Sequence, residues 1–176
     1  VLTNVKSVAG SLLTNLNGIY SDAAFGVGRY LGDPIEAGET PTSAYQLQQA
    51  ITTSTVLTQN AINGWFASGG GDGPEANFYA LHQIATEGAL PPGTNRKGPV
   101  QSGDITGWRA GAQPVVLWWG DVSSHNETIT EAQTIAALQA AGVIVIGLNS
   151  SGNNSGIDGS FTGTNVGGPG INVTDA

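Results

Sequence analysis

Hydrophobic positions along the chain switch between two periods, and each switch marks a new element. Val5, Val8, Leu12, Leu16 and Ile19 recur at steps of three and four, which predicts a helix with one buried face, starting almost at the first residue and stopped by Asn17-Gly18. From residue 23 to 31 the period drops to two, with Phe25, Val27 and Leu31 on one side, so this segment reads as a strand. Its glycines, Gly26 and Gly28, fall where another backbone can approach closely. Gly32-Asp33-Pro34 is a turn, and a polar loop follows over 35–42. Ser43 with Gln46 resembles a capping box, yet Tyr45, Leu47, Gln49 and Ile51 alternate, and the four hydroxyl residues at 52–55 disfavour a helix interior. An edge strand over 45–51 is therefore expected, then a helix from about 55 to 63 that Asn63-Gly64 ends.

The second half repeats the alternation. Pro74 suits a first helical turn, and Phe78, Leu81 and Ile84 carry that helix to Gly88. Residues 89–106 form a Pro- and Gly-rich loop, and 115–119 are too apolar for a half-exposed strand, which predicts a central one covered on both faces. Thr128 and Glu131 form a capping box for a helix carrying Ile135 and Leu138, and Gly142 terminates it. Residues 143–148 read as another buried strand, 149–170 as a long Ser/Asn/Gly loop, and 171–174 as the start of one more strand. The expected fold is α/β: one domain over 1–176, a three-layer, doubly wound, mainly parallel sheet with helices on both faces. In such sheets ligands bind beyond the carboxyl ends of the strands, where Asp121 follows Val-Val-Leu-Trp-Trp-Gly.

Composition narrows the chemistry. Five Lys plus Arg against thirteen Asp plus Glu leave a net charge of -8, which repels nucleic acid and anionic lipid and attracts cations. With no cysteine, disulfides and thiolate metal sites are excluded, so any ion is held by oxygen, helped by His82 or His125. Calcium, magnesium and manganese fit that inventory. Few lysines with many Thr, Ser, Asn and Gly suggest a secreted or surface protein, and sequons at Asn126, Asn153 and Asn172 would matter only in a eukaryotic secretory route. No 18-residue apolar span is present, so membrane insertion by this chain is not expected.

The candidate ligands are Asp72 and Glu75 in GGGDGPE and Asp121 in WWGDVSSH. Each has a local alternative. Asp72 and Glu75 fit a capping box, which is compatible with an outward-pointing oxygen. Asp121 and Asp33 can be turn acids bonding their own backbone. His82 lies among apolar helix positions, as a packed histidine would, whereas His125 and Ser123 share the loop of Asp121 and are candidate partner contacts.

The order FGVGRYLGDP, DGPEANFYAL, GWR, VVLWWGDVSSH, GVIVIGLN resembles the von Willebrand factor A fold, and most of all the A-like domain of integrin beta subunits, over about residues 5 to 149. Its most specific element is D-x-P-E-x-x-x-x-A, followed by W-R and a strand ending in Asp. The resemblance implies that Glu75 bridges a metal-ion-dependent adhesion site and a neighbouring calcium site. It implies that Asp72 and the Pro74 carbonyl serve the calcium, and that Asp121 is the adhesion-site acid. Asp33 matches the acid after the second strand with an offset of one, and Gly70 stands where the family has a ligand asparagine. The family's opening strand, ending in D-x-S-x-S, has no match in these residues; it is expected to lie outside the chain or to come from another chain, and a last helix is expected after Ala176.

The implied function is recognition rather than catalysis: calcium, magnesium or manganese with an open coordination position binds an acidic group of a protein or glycoprotein partner, in an extracellular or cell-surface protein, expected to be bacterial because cysteine is absent. The alternative is a calcium-stabilised building block of a surface layer, filament or large adhesin, contacting neighbouring domains with no exchangeable ligand. Asp121, Ser123, Ser124 and His125 include the residue types of a hydrolase triad but crowd one loop without a G-x-S-x-G elbow, so an enzyme is not expected. Glycines 69–71 lack the following lysine of a phosphate loop.

Overall fold

A computed structural model describes residues 2–32, 44–67, 72–88, 105–149 and 170–175, the last of these as backbone alone. Nine elements follow one another: α1 (Leu2–Ile19), β1 (Phe25–Tyr30), β2 (Tyr45–Thr52), α2 (Thr55–Asn63), α3 (Asn77–Thr86), β3 (Val115–Gly120), α4 (Glu131–Ala141), β4 (Ile144–Asn149) and β5 (Gly170–Asp175). The class is mixed α/β. Among the described strands, β1 pairs antiparallel with β2, and β3, β4 and β5 form a parallel sheet in that order. The predicted single sheet is thus seen as two pieces, and β3, expected to be central, pairs among the described residues with β4 alone.

The apolar pattern is met in part: α1 buries Ala9 and Leu13, whereas Val8 and Ile19 of the face its period predicts are exposed. Trp118 is buried in a large cluster with Tyr45, Phe78, Leu81, Leu138 and Val145. Its neighbour Trp119 packs in a second cluster with Ala9, Val27 and Ile62. Successive strand residues point to opposite faces, so β3 contributes to both clusters, although only Trp118 is fully buried and Val115 is exposed. β1 behaves the same way, with Val27 in the second cluster and Tyr30 against the first. Around these strands α1 packs on α2, and α3 on α4. The glycines of β1 permit the predicted close approach: a Cβ on Gly26 would meet the Gln49 carbonyl at 3.3 Å, and one on Gly28 the Tyr45 ring at 3.2 Å.

Two helix starts differ from expectation. The helix expected from Pro74 begins at Asn77, and its N-cap Ala76 offers no side-chain bond. The box expected at Thr128 and Glu131 forms instead between Thr130 and Gln133. Both threonines satisfy the local pattern, but Ile129 is 1% exposed, and its anchorage in the core moves the helix start past it. Gly142 ends α4 in the left-handed conformation, φ 66°, as its position predicts.

Leu138 is fully buried in the larger cluster. Replacing it with alanine is expected to lower unfolding stability by about 2–5 kcal/mol. Val56→Ala, at a residue 68% exposed, should stay within about 0.5 kcal/mol. Urea titration followed by tryptophan fluorescence compares the two, and equal midpoints would contradict the assigned core.

Candidate functional site

The site begins where β3 runs out. After Gly120 the chain continues as Asp121-Val-Ser-Ser-His125, and the segment before α3 lies down beside it as a one-residue parallel bridge, Glu75 to Ser124. The Glu75 N–H donates to the Ser123 carbonyl at 3.0 Å, and the His125 N–H donates to the Glu75 carbonyl at 2.9 Å. Main-chain pairing therefore takes residues 72–76 out of the helix that local signals favoured. The capping box expected between Asp72 and Glu75 is replaced by a cap from elsewhere in the sequence: the Ser124 hydroxyl accepts the Phe78 N–H at 2.9 Å and donates to the His125 carbonyl at 2.7 Å. Asn77, with no exposed surface, donates its amide to the Val122 carbonyl at 3.1 Å.

β1 reaches the same place. The Tyr30 hydroxyl donates to the Trp119 carbonyl at 2.7 Å and accepts the Trp118 indole N–H at 2.9 Å. One turn on, the Gly32 N–H donates to the Glu75 carboxylate. Burial of its hydroxyl drives the Tyr30 pKa well above the ordinary phenol range, Asp121 and Glu75 push it further the same way, and the bond from Trp118 opposes them. Tyr30 stays neutral at any working pH. Glu75, Asp121 and Tyr30 line one cavity at the carboxyl ends of β1 and β3.

Not every expected ligand gathers here. Glu75 and Asp121 share this position, with Ser123 adjacent through its carbonyl. Asp72 is drawn aside: its carboxylate lies 3.1 Å from His125 Nε2, while His125 Nδ1 is 3.1 Å from the Glu127 carboxylate. Pro74 lies between Asp72 and the Glu75 bridge. Asp33 and Gly70 lie outside the described residues. Among the described residues no group of three or more His, Asp or Glu is arranged to hold an ion. Glu75 and Asp121 are hard oxygen donors of the kind calcium and magnesium prefer, and they would make up part of such a shell. Tyr30, Asn77 and Ser124 were not foreseen as site residues. The polar Asn77 opening an apolar helix was the one signal available for them.

The GWR segment is an anchor. Glu87 caps α3 in the left-handed conformation, φ 52°, and its carboxylate accepts the Gly107 and Trp108 N–H groups at 2.9 and 3.1 Å. The Trp108 indole donates to the Ile84 carbonyl at 3.0 Å, while Arg109 makes a long exposed contact of 3.9 Å with Asp22, a pair of little energetic weight.

His125 carries the pH dependence. Burial lowers its pKa, but the hydrogen bonds and charges of Asp72 and Glu127 outweigh burial and hold it above the ordinary value. Glu127 is held below its ordinary value, first by the Asn126 N–H and then by His125. With both ring nitrogens facing carboxylates, the geometry suits the imidazolium. The stabilisation is complete below about pH 6.5, the unfolded value, and is lost as pH rises through the raised folded value. Buried His82, whose pKa is lowered by desolvation, acts in the opposite sense. The difference between the parent chain and His125→Asn isolates His125: the parent's advantage in thermal midpoint should shrink as pH rises above about 6.5, by an amount worth at most about 1.4 kcal/mol per pH unit. Midpoints measured every half unit test this, and parallel curves would refute the pairing of His125 with Asp72 and Glu127.

No family model matches this chain, and no curated protein matches it either.

Proposed function

We propose that this chain is a divalent-cation-dependent protein-binding module of an extracellular or cell-surface protein, with a von Willebrand factor A-like, three-layer sheet. The observation that carries the proposal is the convergence at one strand end: the D-G-P-E segment pairs with the Asp121–His125 loop, and Glu75 and Asp121 line one cavity with Tyr30. Covered strands with parallel pairing support the layered fold, since a ligand is then expected beyond their carboxyl ends.

In this proposal Glu75 and Asp121 are the protein ligands, and Ser123 and His125 flank the face offered to the partner. The bound ion would supply a positive centre that draws an acidic side chain of the partner protein. The chain's own residues do the positioning. Gly32 orients the Glu75 carboxylate, the Ser123 and His125 main chain fixes its backbone, and the net charge of -8 favours cation capture over anion capture. One observation favours the structural alternative: Asp72 is engaged by His125 and is not turned toward Glu75. A calcium held there would brace loops rather than present an open position.

Calorimetric titration with calcium and with magnesium tests the proposal. The parent chain should bind at least one of them, and Glu75→Ala and Asp121→Ala should each weaken binding by at least tenfold. Unchanged affinity in both variants would reject the assignment. If binding is lost in both but a peptide bearing free carboxylates adds no further interaction with the loaded protein, the bracing role is the correct one.

A further inference from the structure

We infer that the Asn77 side-chain oxygen is a third protein ligand of the ion that Glu75 and Asp121 would hold, and that it turns the site toward calcium. The inference rests on the cation reading above, and none of the ligands that the family resemblance implies falls on Asn77. Asn77 opens α3 and has no exposed surface. Its amide is tied at one end only. Nδ2 donates to the Val122 carbonyl at 3.1 Å, whereas Oδ1 has no hydrogen-bond partner among the described residues. The two ends cannot be exchanged, because the Val122 carbonyl accepts only from the nitrogen end. What is left over is therefore an acceptor. A buried acceptor that meets neither a donor nor a cation is uncommon in folded proteins and calls for an explanation.

Its place supplies one. Asn77 lines the same cavity as Glu75, Asp121 and Tyr30, and Val122, to which its nitrogen is bound, directly follows Asp121. The amide thus spans from the Glu75 segment to the Asp121 loop. Main-chain bonds hold both sides: the Asn77 N–H donates to the Glu75 carbonyl at 2.9 Å, and the Phe78 N–H to the Ser124 hydroxyl at 2.9 Å. These bonds also occupy the first N–H groups of α3, which would otherwise oppose a cation at a helix N-terminus.

Two other residues of the lining carry an unpartnered buried polar atom, Trp65 and Thr106, and neither fits this role. Trp65 Nε1 is a donor and cannot bind a cation. Thr106 precedes Gly107, whose N–H is held by Glu87 at the far end of α3, about 15 Å away along a helix of ten residues. The donor set then names the ion. Calcium takes about six to eight oxygens and accepts amide carbonyls among them, whereas magnesium keeps several waters and is held by one or two carboxylates. Glu75 and Asp121 alone would serve magnesium; a neutral amide oxygen beside them favours calcium.

The full chain is titrated calorimetrically with calcium and with magnesium. Terbium in calcium's place reports, through its luminescence lifetime in H2O and in D2O, how many waters remain on the ion. Asn77→Ala should weaken calcium binding by at least about tenfold, the low end of what losing even a supporting group costs a metal site. It should also leave about one more water on terbium and weaken magnesium binding less than calcium binding. Asn77→Asp should lower the thermal midpoint of the ion-free protein, since it buries a carboxylate, and saturating calcium should restore the midpoint. Unchanged affinity and water count in Asn77→Ala, with Glu75→Ala and Asp121→Ala both weakened, would overturn this inference and leave the proposed function standing. A midpoint that calcium does not restore in Asn77→Asp would overturn it too, because the amide would then only brace Val122. Equal losses for the two ions in Asn77→Ala would overturn the preference for calcium. A parent chain that binds neither ion would reject the proposed function, and this inference with it.

Discussion

Two main-chain hydrogen bonds organise the functional end of this protein: from Glu75 to Ser123, and from His125 back to Glu75. They join segments almost fifty residues apart into a single bridge, and everything nearby takes its position from it. α3 cannot begin until the bridge is finished, which is why its first turn is capped by Ser124 rather than by its own sequence. The Glu75 carboxylate is delivered to Gly32 at the end of β1, and the Asp72 carboxylate to His125. Each neutral bond of this kind contributes only about 1 kcal/mol net, but leaving a buried partner unmade costs more, so the bridge is enforced by the groups it would otherwise orphan.

That explains which parts were legible in the sequence. Elements decided by local period came out close to expectation: 45–51 became Tyr45–Thr52, and the helix expected at 55–63 is Thr55–Asn63. Elements decided by distant pairing did not. Nothing within ten residues of Pro74 announces that Ser123 and His125 will claim Glu75, and the D-x-x-E pattern is a sound local cap that long-range pairing overrides. Of the site, the sequence offered the two carboxylates at the strand end but not the Tyr30 hydroxyl that lines the same cavity. Tyr30 looked like one more alternating strand residue until β3 arrived beside it.

His125 shows the same limit from the other side. A lone histidine in a loop is a weak signal, yet its side chain is 6% exposed and both of its nitrogens meet carboxylates. Its role comes from three segments folding together. One of those carboxylates is Asp72, which the family resemblance assigns to the neighbouring calcium site.

The strand end is fastened to both halves of the core. Trp118 enters one hydrophobic cluster and Trp119 the other, where it tilts against Trp65 with ring centres 6.2 Å apart. Between them, the Tyr30 hydroxyl touches the main chain of one and the indole of the other. Any change in what lies between β1 and β3 must therefore move groups that both clusters hold.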